Sequence, residues 1–469
     1  MDKSDKSGSR RTVFVCQQCG KESLKWLGRC PNCHEWNSFV ETMVAAPATA
    51  FPSVSPVNPP QELSQVVIEA ADRFPLPLVE LNRVLGRGVV SGSLVLVSGD
   101  PGIGKSTLLL QISALVAQAR GKVVYVSGEE TLHQIKLRSE RLGVKGEKLY
   151  LLAETNLEVV LNQIEELSPS LVVIDSIQSV YIPELNTAPG SITQVRECTL
   201  RLMHWAKLSA VPIFITGHVT KDGAIAGPRA LEHIVDVVLY LEGEPFSAYR
   251  LLRCVKNRFG STNEIGVFEM KEQGLIEVDN PSQVFLSQRQ GETIGSAVVP
   301  TLEGSRPLLV EIQALTNPTS FGLPRRTANG VDFGRLLLIT AVLTRRVGLK
   351  LGSQDIIANV TGGLKIGEPA ADLGIAMAIA SSFRDAGVDP QLVAVGEVGL
   401  SGELRAVSQL DRRVTEAARL GFKRCLVPKV GARISPAPKD IEIIPVSTLR
   451  EAIRLGLVRG KAKDRTSQN

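Results

Sequence analysis

Aromatic side chains are scarce here: Trp, Tyr and Phe together make 4% of 469 residues. That poverty argues against an all-β sandwich and fits an α/β protein whose strands are aliphatic. Charge of one sign is lacking as well. Lys and Arg number 53 against 48 Asp and Glu, for a net of +5. A balance this mild permits nucleic-acid binding without requiring it. Nor is there a stretch fit to cross a membrane. Residues 42–61 are uncharged and long enough, but they contain Pro47, Pro52, Pro56, Pro59 and Pro60, which no spanning helix tolerates. The opening MDKSDKSGSR has no apolar core segment and does not read as a signal peptide. These absences lead to the expectation of a cytoplasmic protein with no membrane contact. The length suggests two or three domains.

Cysteine is present but unevenly placed. Four of the 7 cysteines fall within the first 33 residues, a clustering that suits a metal site rather than a secreted disulfide framework. Cys16-x2-Cys19 and Cys30-x2-Cys33 offer four soft ligands at a spacing suited to tetrahedral Zn²⁺. A redox pair or free thiols is the competing reading. So small a module has almost no core, so metal would supply its folding energy. Four thiolates already close the site, which leaves His34 a bystander and makes the site structural. Lys21, Lys25, Trp26 and Arg29 lie between the pairs. They can contact nucleic acid or protein, or form a solvated face with one packed Trp.

The organisation expected is a cysteine module within 1–40, an Ala/Pro-rich linker over 41–62, an α/β domain over 63–275, a mixed α+β domain over 285–458 and a loose tail over 459–469. The first ten residues, polar and without periodicity, read as disordered. Strands are expected at 93–99, 122–127, 171–175, 211–217 and 235–243, with a helix over 107–120. Residues 249–260 should add a strand and a polar turn. Such alternation implies a mainly parallel sheet covered by helices. Beyond 285, short strands (AVVPTLEG, PLLVEIQAL) precede the helix FGRLLLITAVLTRR.

Between the first strand and the first helix stand Gly99, Asp100, Pro101, Gly102, Ile103, Gly104, Lys105, Ser106 and Thr107. They match the phosphate-loop pattern in full and in its proper strand-to-helix context. The glycines let main chain wrap a phosphate, and the loop N–H groups and helix N-terminus supply partial positive charge. Lys105 would reach the β- and γ-phosphates of ATP, and Ser106 would hold Mg²⁺. Asp175 ends the apolar run Leu171–Ile174 at the carboxyl end of a strand, placed to act on Mg²⁺; a helix N-cap is the plainer alternative. Glu129, just past the strand 122–127, is the candidate to orient the attacking water. Glu130 is explained instead by a capping box with Ser127. His218 either senses the γ-phosphate or simply caps its strand.

These parts in this order resemble the bacterial RadA (Sms) family of recombination and repair proteins. The resemblance runs from about 12 to 455. It rests on the four-cysteine finger, GDPGIGKST, GEET, LVVIDSIQS, GHVTKDGAIAGPRALEH and, most specifically, Lys256-Asn257-Arg258-Phe259-Gly260. It implies a RecA-like ATPase close to the replicative helicase DnaB. It further implies a homo-hexameric ring that binds single-stranded DNA and branched recombination intermediates, a RecA-type recombinase as partner, and a place at the nucleoid. Lys256 and Arg258, two apart, point the same way on an extended turn. In a ring such a pair can reach the γ-phosphate held by the next subunit. They can instead contact DNA phosphates, or be a solvated basic turn.

The C-terminal domain resembles the proteolytic domain of Lon. Ala370, in Glu368-Pro369-Ala370-Ala371, occupies the position of the nucleophilic serine, and Asp411, in Ser408-Gln409-Leu410-Asp411, that of the catalytic lysine. Neither can do that chemistry. Such a scaffold suits assembly or DNA binding. Arg325-Arg326, Arg345-Arg346 and Arg412-Arg413 are candidate phosphate contacts. The reading that results is a DNA-dependent ATPase that extends or migrates strand-exchange junctions. Its rivals are an ATP-dependent protease and a nucleotide-switched protein hub.

Overall fold

The computed structural model describes residues 10–45, 62–65, 73–218, 231–243, 247–286, 293–320, 322–430 and 438–458. The chain divides into two compact units. One holds the residues up to 243 together with 250–277, and the other holds 244–249 and everything from 278 onward.

In the cysteine module, strand Arg10–Cys16 pairs antiparallel with Glu22–Ser23 and with Phe39–Ala45. This corrects the expected boundary at residue 40. Residues 41–45 are not linker, because Glu41 to Ala45 register with Phe14 to Arg10. Without them the strand Arg10–Cys16 would present an open edge. Arg10 itself is in that strand, inside the span expected to be disordered, and residues 1–9 lie outside the described residues.

The central sheet of the first unit has nine strands. Six are parallel, in the order Leu149–Ala153, Val123–Ser127, Leu171–Asp175, Ile213–His218, Leu94–Gly99 and Val237–Glu242. Tyr249–Asn257 then joins antiparallel, followed by Ile265–Lys271 and Gly274–Glu277. Period-two alternation sends Val95 and Val97 to one face and Leu94 and Leu96 to the other. The first pair packs with Leu108, Leu109 and Ile112 of helix Lys105–Arg120. The second packs with Val160 and Ile164 of helix Leu157–Leu167 and with Val195 and Leu202 of helix Ile192–Ser209. With both faces covered, the strands must be aliphatic throughout. Each fully buried Leu, Ile or Val contributes roughly 1.5–3 kcal/mol.

One local reading is corrected. The helix after Glu130 is Leu132–Arg141, and its capping box is Thr131 with Gln134. The Ser127 hydroxyl does accept from the Glu130 N–H at 3.0 Å. The helix starts only at Leu132, however, and the Glu130 side chain pairs with Arg138 instead.

The second unit is built on a seven-stranded sheet in the order Arg326–Asn329, Gln354–Val360, Arg306–Pro318, Ser296–Glu303, Leu392–Ala394, Arg424–Pro428, Glu442–Val446. Arg306–Pro318 is 13 residues long, where a short strand was expected. Its antiparallel pairing with both Ser296–Glu303 and Gln354–Val360 supports that length. Helix Asp372–Arg384 is buried along its first ten residues. A Cβ on Gly374 would lie 1.9 Å from Val299, so only glycine admits this close helix-to-sheet approach.

Candidate nucleotide-binding site

The carboxyl ends of the parallel strands bring the expected residues to one rim. Ser127 registers with Asp175, and His218 with Gly99. The loop leaves the sheet at Gly99 (φ 147°) and enters the helix at Gly104 (φ 115°). A Cβ at Gly99 would lie 2.2 Å from the Leu241 carbonyl oxygen, so this turn requires glycine. Gly104, at the N-cap of the helix that follows, has no side chain to cap it. Its first N–H groups are therefore suited to an anion.

Lys105 is nearly buried, and its Nζ donates to the carbonyl oxygens of Gly99 (2.8 Å) and Asp100 (3.0 Å). Burial pulls its ammonium below the usual lysine range, while Asp175, Asp100 and Glu129 pull the other way. Ser106 is half-buried in the first turn beside it. Asp175 is held at both oxygens: Oδ2 accepts from the Tyr125 hydroxyl at 2.5 Å, and Oδ1 from the Thr216 hydroxyl at 2.6 Å. Burial, and then the Asp175 charge, push the Tyr125 phenol well above its ordinary range, so it stays a donor. Glu129 is exposed at the strand end, and its Oε1 accepts from the Ser176 hydroxyl at 2.5 Å. Tyr125, Thr216 and Ser176 were not anticipated. A tyrosine inside an otherwise aliphatic strand was the available signal, because a buried phenol needs a partner. Of His218 only the strand position is described, and residues 219–230 of the segment GHVTKDGAIAGPRALEH lie outside the described residues.

A loop Lys, an uncapped helix start and a rigid carboxylate suit a nucleotide's phosphates with Mg²⁺. The ion would be held by Ser106 and Asp175.

Lys256 and Arg258 lie on the opposite rim. Asn257 registers with Val237, which pairs with Val95, at the start of the strand whose far end is Gly99. Arg258, one residue further on and linked through Asp236 to Leu94, lies five rises of strand, roughly 16 Å, from Gly99. Arg258 therefore does not reach its own phosphate loop. Both side chains turn toward the segment 232–236. Lys256 Nζ donates to the carbonyls of Glu232 (2.5 Å) and Val235 (2.8 Å), and Arg258 Nη1 donates to Asp236 Oδ1 at 3.1 Å. Burial and the neighbouring Arg258 lower the Lys256 ammonium, opposed by Asp236 and Glu232.

The four cysteine sulfurs lie within 4.8 Å of one another, with Cys16–Cys33 and Cys19–Cys30 each at 3.5 Å. A tetrahedron with Zn–S of about 2.3 Å has edges of about 3.8 Å, so the set fits zinc. Four thiolates this close repel unless a cation sits among them. Cys30 feels burial upward, but main-chain N–H groups of Cys33 and Asn32 bring it down to about 6. Trp26 and Trp36 remain more than half exposed, with Arg29 over the Trp36 ring.

In the second unit, Ala370 is buried beside Leu410 in one apolar cluster, and Asp411 is exposed in the first turn of helix Leu410–Arg419. Arg413 corrects the expectation of a phosphate contact. It is fully buried and bidentate to Glu368, at 2.7 and 2.6 Å. Arg326 is likewise spent on the carbonyls of Arg325, Gln354 and Leu351. Arg345 and Arg346 are exposed.

Residues 58–224 match the AAA domain family, 14–41 the rubredoxin metal binding domain and 331–431 the subunit ChlI of Mg-chelatase. The chain is 55% identical over 454 residues to DNA repair protein RadA of Halalkalibacterium halodurans, covering 96% of this chain and 99% of that one. It is 53% identical to DNA repair protein RadA of Bacillus subtilis strain 168, covering 95% and 99%. A KaiC-like protein from Pyrococcus horikoshii OT3 superposes with a TM-score of 0.37 at 21% identity, over 44% of this chain and 98% of that one.

Proposed function

The chain belongs to the RadA family of DNA repair proteins, and from that premise we propose that it is a DNA-dependent ATPase. In this reading it binds single-stranded DNA and drives branch migration of recombination intermediates. The observation that carries the proposal is the rim where Lys105, Asp175 and Glu129 converge on the phosphate loop. The loop from Gly99 to Thr107 cradles the triphosphate, and Lys105 exchanges its two carbonyl partners for phosphate oxygens. Mg²⁺ bound by Ser106 and Asp175 would neutralise charge on the β- and γ-oxygens. Tyr125 and Thr216 fix the Asp175 carboxylate, and Ser176 fixes Glu129 to orient the attacking water.

Arg258 and Lys256 serve the triphosphate of the next subunit. Their distance from their own loop favours this over service in cis. In a ring of head-to-tail contacts one rim meets the other. A homo-hexamer working with a RecA-type recombinase at the nucleoid, with zinc in the ribbon and no proteolysis in the second unit, completes the proposal. The test is the ATPase rate with and without single-stranded DNA across a salt series. Several-fold stimulation that collapses with salt is expected. A rate indifferent to DNA and salt would point to a nucleotide-switched protein hub instead.

A further inference from the structure

Asp236 is 2% exposed, yet it carries a carboxylate. Oδ2 accepts from the Leu94 N–H and Oδ1 from Arg258 Nη1, both at 3.1 Å. Its own N–H donates to the Leu94 carbonyl at 3.0 Å, and its carbonyl accepts from the Arg258 N–H at 3.1 Å. A node that merely tied these strand ends together would need no charge, since a neutral amide or hydroxyl also accepts from Leu94. Desolvating a carboxylate costs several kcal/mol unless it is paired. Here the partner is a guanidinium that is itself 46% exposed. The second nitrogen, Nη2, donates at 3.4 Å to the His233 carbonyl, a long bond and its one partner among the described residues. A groove of about 370 Å³ opens beside it, lined by Gly92, Lys207, Asp236, Arg258 and Phe259.

We propose that Asp236 is the positioning residue for a trans-acting Arg258. Its buried carboxylate fixes one edge of the guanidinium, so that the other edge is presented to the triphosphate held by the adjoining subunit. This rests on the cross-subunit reading above. A long, exposed arginine loses rotamer freedom when it engages an anion. Holding its fork in advance removes part of that loss at the moment of reaction. Lys256, tied to the carbonyls of Glu232 and Val235, stiffens the same turn.

The experiment uses the full-length protein carrying Asp236→Asn, Arg258→Ala or Lys105→Ala, each alone and in equal mixtures. Asp236→Asn keeps an acceptor for Leu94 but loses the charge. Alone, it should lower the DNA-stimulated kcat about tenfold while KM for ATP stays within about twofold. Mixed with Lys105→Ala, it should regain activity above either parent. The sites restored pair an intact loop from one chain with an intact Arg258 from the other, an outcome a folding defect does not give. Asp236→Ser, which also keeps an acceptor without charge, should behave in the same way. A wild-type kcat in Asp236→Asn overturns the proposal, as does failure of both Asp236 variants to fold or to be complemented when Arg258→Ala is complemented. If Arg258→Ala itself is not rescued by Lys105→Ala, the cross-subunit reading falls first.

Discussion

Asp175 shows how a single side chain is held in one orientation. Two hydroxyls from flanking strands hold its two oxygens. Tyr125→Phe removes one of them with little change in shape. A hydrogen bond to a charged group contributes about 1.5–3 kcal/mol, so the melting temperature should fall and the Mg²⁺ needed for half-maximal hydrolysis should rise. A magnesium titration of the ATPase checks this, and an unchanged titration would show that Tyr125 only packs. Lys105→Ala should cost at least about a hundredfold in ATPase rate and leave the circular dichroism melt intact. The placement of Lys105 and Asp175 at one rim was legible in the sequence because it follows from chain-local patterns, a loop of fixed spacing and a strand end. Tyr125, Thr216 and Asp236 were not, since their partners arrive through sheet register from residues 22 to 142 positions away. The Ser127/Glu130 pattern misled because Thr131/Gln134 offers the same capping chemistry where the helix actually starts.

At the scale of elements, aliphatic strands between covering helices were readable because a sheet buried on both faces leaves no room for polar alternation. The third ribbon strand was not, because it runs into the Ala/Pro-rich composition that follows it. That strand and the four sulfurs are most of the ribbon's core. Removing metal with a strong chelator should therefore unfold residues 10–45, read as loss of their dispersed NMR amide signals, while the nine-stranded sheet that carries the phosphate loop keeps its melting transition. Mass spectrometry of the native protein should find one Zn²⁺ per chain. In the second unit the Arg413–Glu368 pair joins helix Leu410–Arg419 to the segment that leads into helix Asp372–Arg384. Glu368→Gln leaves a buried guanidinium without its counter-charge, and chemical denaturation of the full chain should show a loss of about 3–5 kcal/mol in that unit's transition. A sequence holds no mark that separates Arg413 from exposed Arg412, because burial is decided by the facing strand Ser296–Glu303, whose Pro300 carbonyl Arg413 also meets.

At the scale of the whole molecule, the proposal that the Arg258 rim serves a neighbour's triphosphate requires chains that meet head to tail. A subunit alone holds its loop and its Arg258 about 16 Å apart along the strands. The resemblance to Lon implies that Ala370 and Asp411 stand at the positions of its serine and lysine, and on that reading incubation with casein and ATP should release no peptides. The most direct test is strand extension of three-strand joint molecules, followed on gels with ATP in the wild-type and Lys105→Ala proteins. The wild type should lengthen the heteroduplex and the variant should bind the junction without moving it. Equal extension by the two would contradict a motor driven from this loop.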